Sequence, residues 1–260
     1  MNVQTSNATI QAAYTKASAL RITWLIAWRQ IVEAVHTRSM LVMMAFFLVF
    51  QTVLVLISLG PMLQGPLSPH EASMAGLFMA FYLLLVGLMP STSSIGIAAG
   101  VFAGDKERGS LAPLLVTPAS NTAIFAGKVL GAVVPALAYS VIGLLAYFAE
   151  IALLYGPDRL RLLPLGLLLL ILLVIPALAL LGAILASVIS SRVATFQSAQ
   201  NYSTLIVTVL WFVLFALVFL VAAWGLWLFA AVVVAIYGLD VLLIVLGANT
   251  WRREEFMARQ

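Results

Sequence analysis

The chain is 260 residues long, 64% hydrophobic and only 8% charged, with a net charge of +4. An ordinary soluble domain carries about 25% charged residues, so no soluble core of this length accounts for the apolar content, and the surrounding solvent must be lipid. No basic patch is interleaved with aromatic residues, which leaves nucleic-acid binding without support, and the lack of cysteine excludes thiol chemistry and disulfides.

Residues 1–19 form a polar tail with no basic stretch ahead of a short apolar run, so they do not read as a signal peptide. Residues 20–38 follow a helical period. Leu20, Trp24, Trp28, Ile31 and Val35 recur at spacings of three and four and share one face, while Arg29, Gln30, Glu33, His36 and Thr37 gather opposite. Such an amphipathic helix suits the headgroup plane, with Trp at the boundary and Arg toward phosphate or water. Arg29 and Glu33 are spaced for an i,i+4 pair. The segment is either a plain membrane anchor or a helix that also touches a cytoplasmic partner.

Residues 39–250 hold six apolar blocks, near 40–60, 77–102, 129–154, 162–189, 203–223 and 225–248, each near the roughly 20 residues a spanning helix needs. The blocks are continuously apolar rather than alternating, which predicts helices and not barrel strands. Between 203 and 248 the only charged residue is Asp240. A tight turn around Trp224, Gly225 and Trp227 must therefore separate two spans; one span plus a re-entrant segment is the alternative. The predicted fold class is all-α, an integral membrane protein with an N-terminal amphipathic interfacial helix, six transmembrane helices and a tail at 251–260.

Lys and Arg set the orientation. With the N-terminus inside, Lys16, Arg21, Arg29, Arg38, Lys106, Arg108, Lys128, Arg192, Arg252, Arg253 and Arg259 fall on the cytoplasmic side, against Arg159 and Arg161 outside. That bias places both termini in the cytoplasm, together with the loop 104–128.

Within this loop Glu107-Arg108-Gly109-Ser110-Leu111 is followed by Leu114-Leu115, Thr117-Pro118 and Gly127-Lys128. The spacing predicts a short cytoplasmic helix, a break at Thr117-Pro118, and a second helix entering the membrane, with Thr117 as its N-cap and Pro118 at its first position. Lys128 is then expected to snorkel to the inner interface.

The ordered pattern resembles the permease subunit of ABC-2-type transporters, where a Glu-x-Gly-Thr/Ser-Leu run, a Leu-Leu pair, a Thr-Pro and a Gly-Lys occur between the second and third spans. The ending Asn249-Thr250-Trp251-Arg252-Arg253-Glu254-Glu255 also resembles the smaller bacterial members. The resemblance implies a coupling helix docked into a cleft on a separate ATPase subunit, with Glu107, Arg108, Gly109, Ser110, Leu111, Leu114 and Leu115 as contacts. It implies that the interfacial helix, with Trp24, Trp28, Arg29 and Glu33, lies alongside as a connecting helix. It further implies a homo- or heterodimer of permeases in the bacterial cytoplasmic membrane, served by two ATPase subunits that carry ATP and Mg. Two positions depart from the family pattern. Ala112 and Asn121 stand where an acidic and a basic residue are common, and the junction near Trp224 leaves little room for outer re-entrant helices between the fifth and sixth spans.

Gly127-Lys128 is not a P-loop, because Thr122 and Val129 occupy the positions that would need Gly and Ser or Thr. His36 and His70 stand alone, so no metal set is expected. The chain by itself is expected not to be an enzyme. Within the spans, Ser91-Thr92-Ser93-Ser94 follow Pro90 and read either as close helix packing or as a polar pathway formed by Ser91, Ser93, Ser94 and Asp240. Asp240 lies about eight residues from the inner end of the last span. It is either a packing residue, bonded through Tyr237 or a Ser on another helix, or a group linked to transport. Glu150, nearer the outer interface, reads as structural. The expected function is ATP-driven export of an amphipathic or lipid-like substrate. The competing classes are a proton-coupled secondary transporter using Asp240 and Glu150, and a membrane scaffold that transports nothing.

Overall fold

The computed structural model describes residues 20–110 and 119–250, and no strand occurs among them. Helix α1 covers residues 20–35. Helix α2 (Arg38–Leu54) continues through a π turn at Val55–Leu59 into the short helix Gly60–Leu63. Helices α3 (Pro69–Ser91) and α4 (Ser93–Glu107) form one rod interrupted at Thr92. Then come α5 (Asn121–Tyr155), α6 (Leu165–Arg192), α7 (Phe196–Trp224) and α8 (Leu226–Thr250).

Local chemistry explains the boundaries. Helix α3 starts with a reciprocal capping box between Ser68 and Glu71 and has Pro69 at its first position. Near the other end of the helix, Pro90 withholds a backbone donor and loosens it. The hydroxyls that follow bond back to the chain: Thr92 Oγ1 to Met89 O, Ser93 Oγ to Pro90 O and Ser94 Oγ to Ser91 O, each at 2.6 Å. Gly225, at φ 79°, is the single residue between α7 and α8, and its left-handed backbone makes the reversal expected near Trp224 and Trp227.

Among the described residues, five helical segments are long and apolar enough to cross a membrane: Met40–Leu63, Pro69–Glu107, Asn121–Tyr155, Leu165–Arg192 and Leu226–Ala248. The block at 203–223 lies inside α7, an uninterrupted helix of 29 residues, about 43 Å long at 1.5 Å per residue. Contacts define two ends of the bundle. At one, Gly100 faces Phe196, Gly247 faces Phe125 and Val188, and Lys106 reaches Ser191. At the other, Gly60 faces Tyr155, Gly76 faces Leu162, Gly166 faces Leu226, and Arg159 donates to Gly65 O. Successive long helices therefore alternate in direction. Helix α6 runs through the middle of the packing, whereas α2 stands at the edge with Val42, Phe46 and Val49 exposed, as is Ile57 in the π turn that follows. Exposed apolar side chains of this kind are the expected covering of a helix in lipid.

Helix α1 lies across the start of α5. A Cβ at Gly127 would stand 2.7 Å from Thr23 O, and one at Gly131 would stand 3.2 Å from Ala27 O. Two glycines four residues apart thus open a trough in which the backbones meet. Ala27 is fully buried there, and Gln30 faces Gly131. This corrects the expectation that Gln30 turns outward with the polar face: the small-residue trough, not hydrophilicity, decides its direction. Leu20, Trp24, Trp28 and Val35 remain exposed, so α1 offers one face to the bundle and another to its surroundings. Replacing Gly127 and Gly131 together by Val should lift α1 off α5. Tryptic cleavage after Arg29 in detergent should then accelerate about tenfold, the effect of roughly 1.4 kcal/mol of local stability; an unchanged cleavage rate would contradict the docking described.

Candidate functional site

The charged break in the sequence is where the second apolar rod ends. Rather than opening a separate helix, Glu107 is the last residue of α4, and the chain turns off through Gly109 at φ 67°. Ser110 N–H bonds Asp105 O at 3.0 Å and Gly109 N–H bonds Lys106 O at 3.1 Å, the paired closure of a Schellman motif. A residue with a Cβ resists this left-handed backbone, which accounts for glycine at 109.

The four residues before that glycine each meet a different helix. On a helix successive side chains are about 100° apart, so four in a row sweep the full circumference. Asp105 Oδ2 pairs with Lys128 Nζ of α5 at 2.5 Å, while Oδ1 accepts from Ser110 Oγ at 2.9 Å. Lys106 Nζ donates to Ser191 O at 2.8 Å and to Val193 O at 3.0 Å. Those carbonyls close α6, where a cation complements the helix dipole. Glu107 Oε1 accepts from Phe196 N–H, the first residue of α7, at 2.9 Å, a carboxylate at a positive helix end. Arg108 Nη1 meets Glu33 Oε1 of α1 at 3.4 Å, with both side chains mostly exposed. An exposed pair of that kind contributes about 1 kcal/mol or less. Glu33 therefore pairs with Arg108 rather than with Arg29.

Lys128 does not snorkel. It is 1% exposed, donates to Val101 O as well as to Asp105, and sits 4.7 Å from the Phe102 ring centroid. Two acceptors and an aromatic face drawn from one stretch of α4 hold the ammonium inside the bundle. Ser190 of α6 reinforces the same region: its Oγ donates to Ala99 O at 2.6 Å and accepts from Ala103 N–H at 2.9 Å. Neither Ser190 nor the inward turn of Lys128 was readable from the sequence. The only signal was a lysine seven residues into a helix whose other early positions are apolar or small.

The structure thus places Glu107, Arg108, Gly109 and Ser110 in one turn, of which Arg108 meets Glu33. Arg29, Trp24 and Trp28 are exposed along α1, the two indoles 6.2 Å apart. Leu111, Ala112, Leu114, Leu115, Thr117 and Pro118 lie outside the described residues. The N-cap of α5 is Ser120, accepting from Ala123 N–H at 3.1 Å, and not Thr117; Asn121 is then the first helical residue.

Inside the spans, Ser91 Oγ is 2.8 Å from Ser140 Oγ and Ser94 Oγ is 3.3 Å from Ala179 O, both buried. Those contacts join helices, whereas Ser93 borders a cleft. Glu150 accepts from Thr52 Oγ1 at 2.5 Å and from Gln51 Nε2 at 3.5 Å, tying α5 to α2. The Tyr237 hydroxyl donates to Leu173 O at 2.9 Å and not to Asp240. Asp240 is 2% exposed, and neither carboxylate oxygen has a hydrogen-bond partner among the described residues.

The end of α4 is thus in direct contact with α5, α6, α7 and α1. No family model matches the chain, and no curated protein matches it. Glu107→Ala should loosen the first turn of α7 at a cost of about 1 kcal/mol, raising amide exchange at residues 196–197 about fivefold while leaving the middle of α6 unchanged. Unaltered protection at those amides would show that Glu107 does not hold the helix end.

Proposed function

We propose that the chain is the permease subunit of an ATP-binding cassette exporter of the ABC-2 type. It would work as a homo- or heterodimer in the bacterial cytoplasmic membrane, with six spans, α7 being the fifth, and both termini inside. The observation that carries the reading is the junction at Asp105–Arg108, from which four consecutive side chains reach α5, α6, α7 and α1. The leucine-bearing segment 111–115 follows that junction directly in the sequence. A subunit gripping Leu111, Leu114 and Leu115 would act on four helices through one point.

On this reading two ATPase subunits bind ATP and Mg. Their closure displaces the segment after Ser110, and the rod α3–α4, already interrupted at Thr92, bends at that interruption. Lys106 and Glu107 carry the movement to adjoining ends of α6 and α7, opening a path between protomers along the second and fifth spans. Glu107 and Arg108 then serve mainly as internal links, and docking rests on the leucines. An amphipathic or lipid-like substrate fits an interior that is mostly apolar, with a few hydroxyls and the isolated polar groups of Gln51, Lys128 and Asp240. A second reading, a proton-coupled transporter, is favoured by one observation, the buried and unpartnered Asp240. Glu150 is less apt as a proton carrier because Thr52 and Gln51 already bond it.

The test is co-purification with a candidate ABC ATPase subunit, together with its stimulated ATP hydrolysis. Leu111→Asp with Leu115→Asp should weaken the complex at least about tenfold, since a buried leucine contributes roughly 1.5–3 kcal/mol. Asp240→Asn should leave the complex intact. Transport that survives the leucine changes without any ATPase, yet is lost in Asp240→Asn, would overturn the exporter reading in favour of the proton-coupled one.

A further inference from the structure

We infer that the first half of α7 binds the head of an uncharged, hydroxyl-bearing amphiphile, so that the proposed exporter takes a neutral polyol lipid rather than an anionic or quaternary-ammonium one. The assignment as substrate rests on the exporter reading; the binding site itself does not. A polar stripe on a spanning helix carries the inference. Gln197, Asn201, Thr204 and Thr208 are all exposed, and their spacings of four, three and four put them on one face of α7. From Thr208 the helix continues only about 24 Å to its end at Trp224. That is less than the roughly 30 Å of hydrocarbon, so the stripe reaches into the membrane. Leu205, Val209 and Phe212 are exposed beside it. Acyl chains suit that apolar flank and offer the polar face nothing. The stripe also borders the second span, because Gln200 Nε2 of α7 donates to Gly96 O of α4 at 3.1 Å.

Charge and hydrogen-bond polarity select the occupant. The sequence has no charged residue from Phe196 to Trp224, and none between Glu71 and Asp105 on the second span. A phosphate or ammonium head brought here would meet no counter-charge and would lose its hydration without compensation. Thr204 Oγ1 donates to Gln200 O at 3.1 Å and Thr208 Oγ1 donates to Thr204 O at 3.0 Å. A threonine has one hydroxyl proton. With that proton committed to its own helix, each oxygen can only accept, and acceptors call for a head that donates. Hydroxyls donate without carrying charge, whereas ionised phosphate and quaternary ammonium have no proton to give. Gln197 and Asn201, bonded to each other at 3.2 Å, add amide groups able to donate and accept at the start of the helix.

Native mass spectrometry of the full chain in detergent measures the binding directly. The probes are monoglucosyl diacylglycerol, phosphatidic acid and phosphatidylcholine with identical acyl chains. The glucosyl lipid should be retained at least about threefold better than either of the others, the usual worth of one hydrogen bond. Thr204→Val with Thr208→Val keeps the side-chain shape and removes both oxygens. That variant should lower retention of the glucosyl lipid about 3- to 10-fold and leave that of phosphatidylcholine unchanged. Thr204→Ser with Thr208→Ser keeps the oxygens and should keep the parent's preference. Equal retention of the three lipids, or a valine variant that holds the glucosyl lipid as well as the parent does, overturns the proposal. So does a valine variant that dissociates a dimer, because a second copy would then cover the stripe. A preference that survives while no ABC ATPase co-purifies would keep the site and overturn only its assignment to export.

Discussion

A lysine ammonium held inside a helical bundle is the constraint on which the rest of this structure depends. Lys128 has left water, and the loss of hydration is offset by Asp105, by the carbonyl of Val101 and by the face of Phe102. All three come from α4, so the pair fixes both the position of that helix against α5 and its rotation. Once Asp105 is aimed at α5, helical periodicity aims the next three residues elsewhere. Lys106 finds the end of α6, Glu107 the start of α7 and Arg108 the side of α1. One buried ion pair thereby sets four inter-helix connections, three of which engage helix ends or partners outside the apolar packing.

The close approach of α4 and α6 makes the junction stiff. Ala98, Ala99 and Ala103 of α4 are fully buried, as are Ala183 and Ala186 of α6, and small side chains let the two backbones come near enough for Ser190 to bond across. The compliant place lies higher, at Thr92, where the rod is interrupted after Pro90. A stiff lower half joined to an upper half through a proline-weakened turn describes a lever with a pivot. That division gives the exporter reading its mechanical content, since force applied below Glu107 would be delivered to the pivot and to neighbouring helix ends rather than dissipated locally.

Much of the fold was legible because punctuation in a membrane chain is conspicuous. The apolar blocks, the reversal at Gly225 and the loosening at Pro90 all follow from residues that restrict or free the backbone. Glycine at 109 belongs to the sequence motif, but its physical reason, a left-handed helix closure, lies in the backbone angles. Direction was harder to read. Lys128 and Gln30 are polar residues turned inward, one by a carboxylate 23 positions away and the other by a glycine trough on a different helix. Hydropathy carries no record of either partner. The cap of α5 was misplaced for a related reason: both Thr117 and Ser120 are good N-caps, and local preference alone does not choose between them. Asp240 stands out in the sequence as a lone charge in an apolar stretch, but that neither it nor the Tyr139 hydroxyl has a hydrogen-bond partner among the described residues is a property of the surroundings, which the sequence does not carry.

The central claim is that the Asp105–Lys128 pair holds the junction, and a double-mutant cycle measured by reversible unfolding in detergent tests it most directly. Asp105→Asn and Lys128→Met should each cost about 3 kcal/mol, since either change strands the other group in a largely buried place. Asp105→Asn combined with Lys128→Met should cost clearly less than the sum of the two, with a coupling of about 1 kcal/mol or more. Strictly additive losses, or single changes without effect, would mean that the pair is incidental and that α4 is positioned by apolar packing alone.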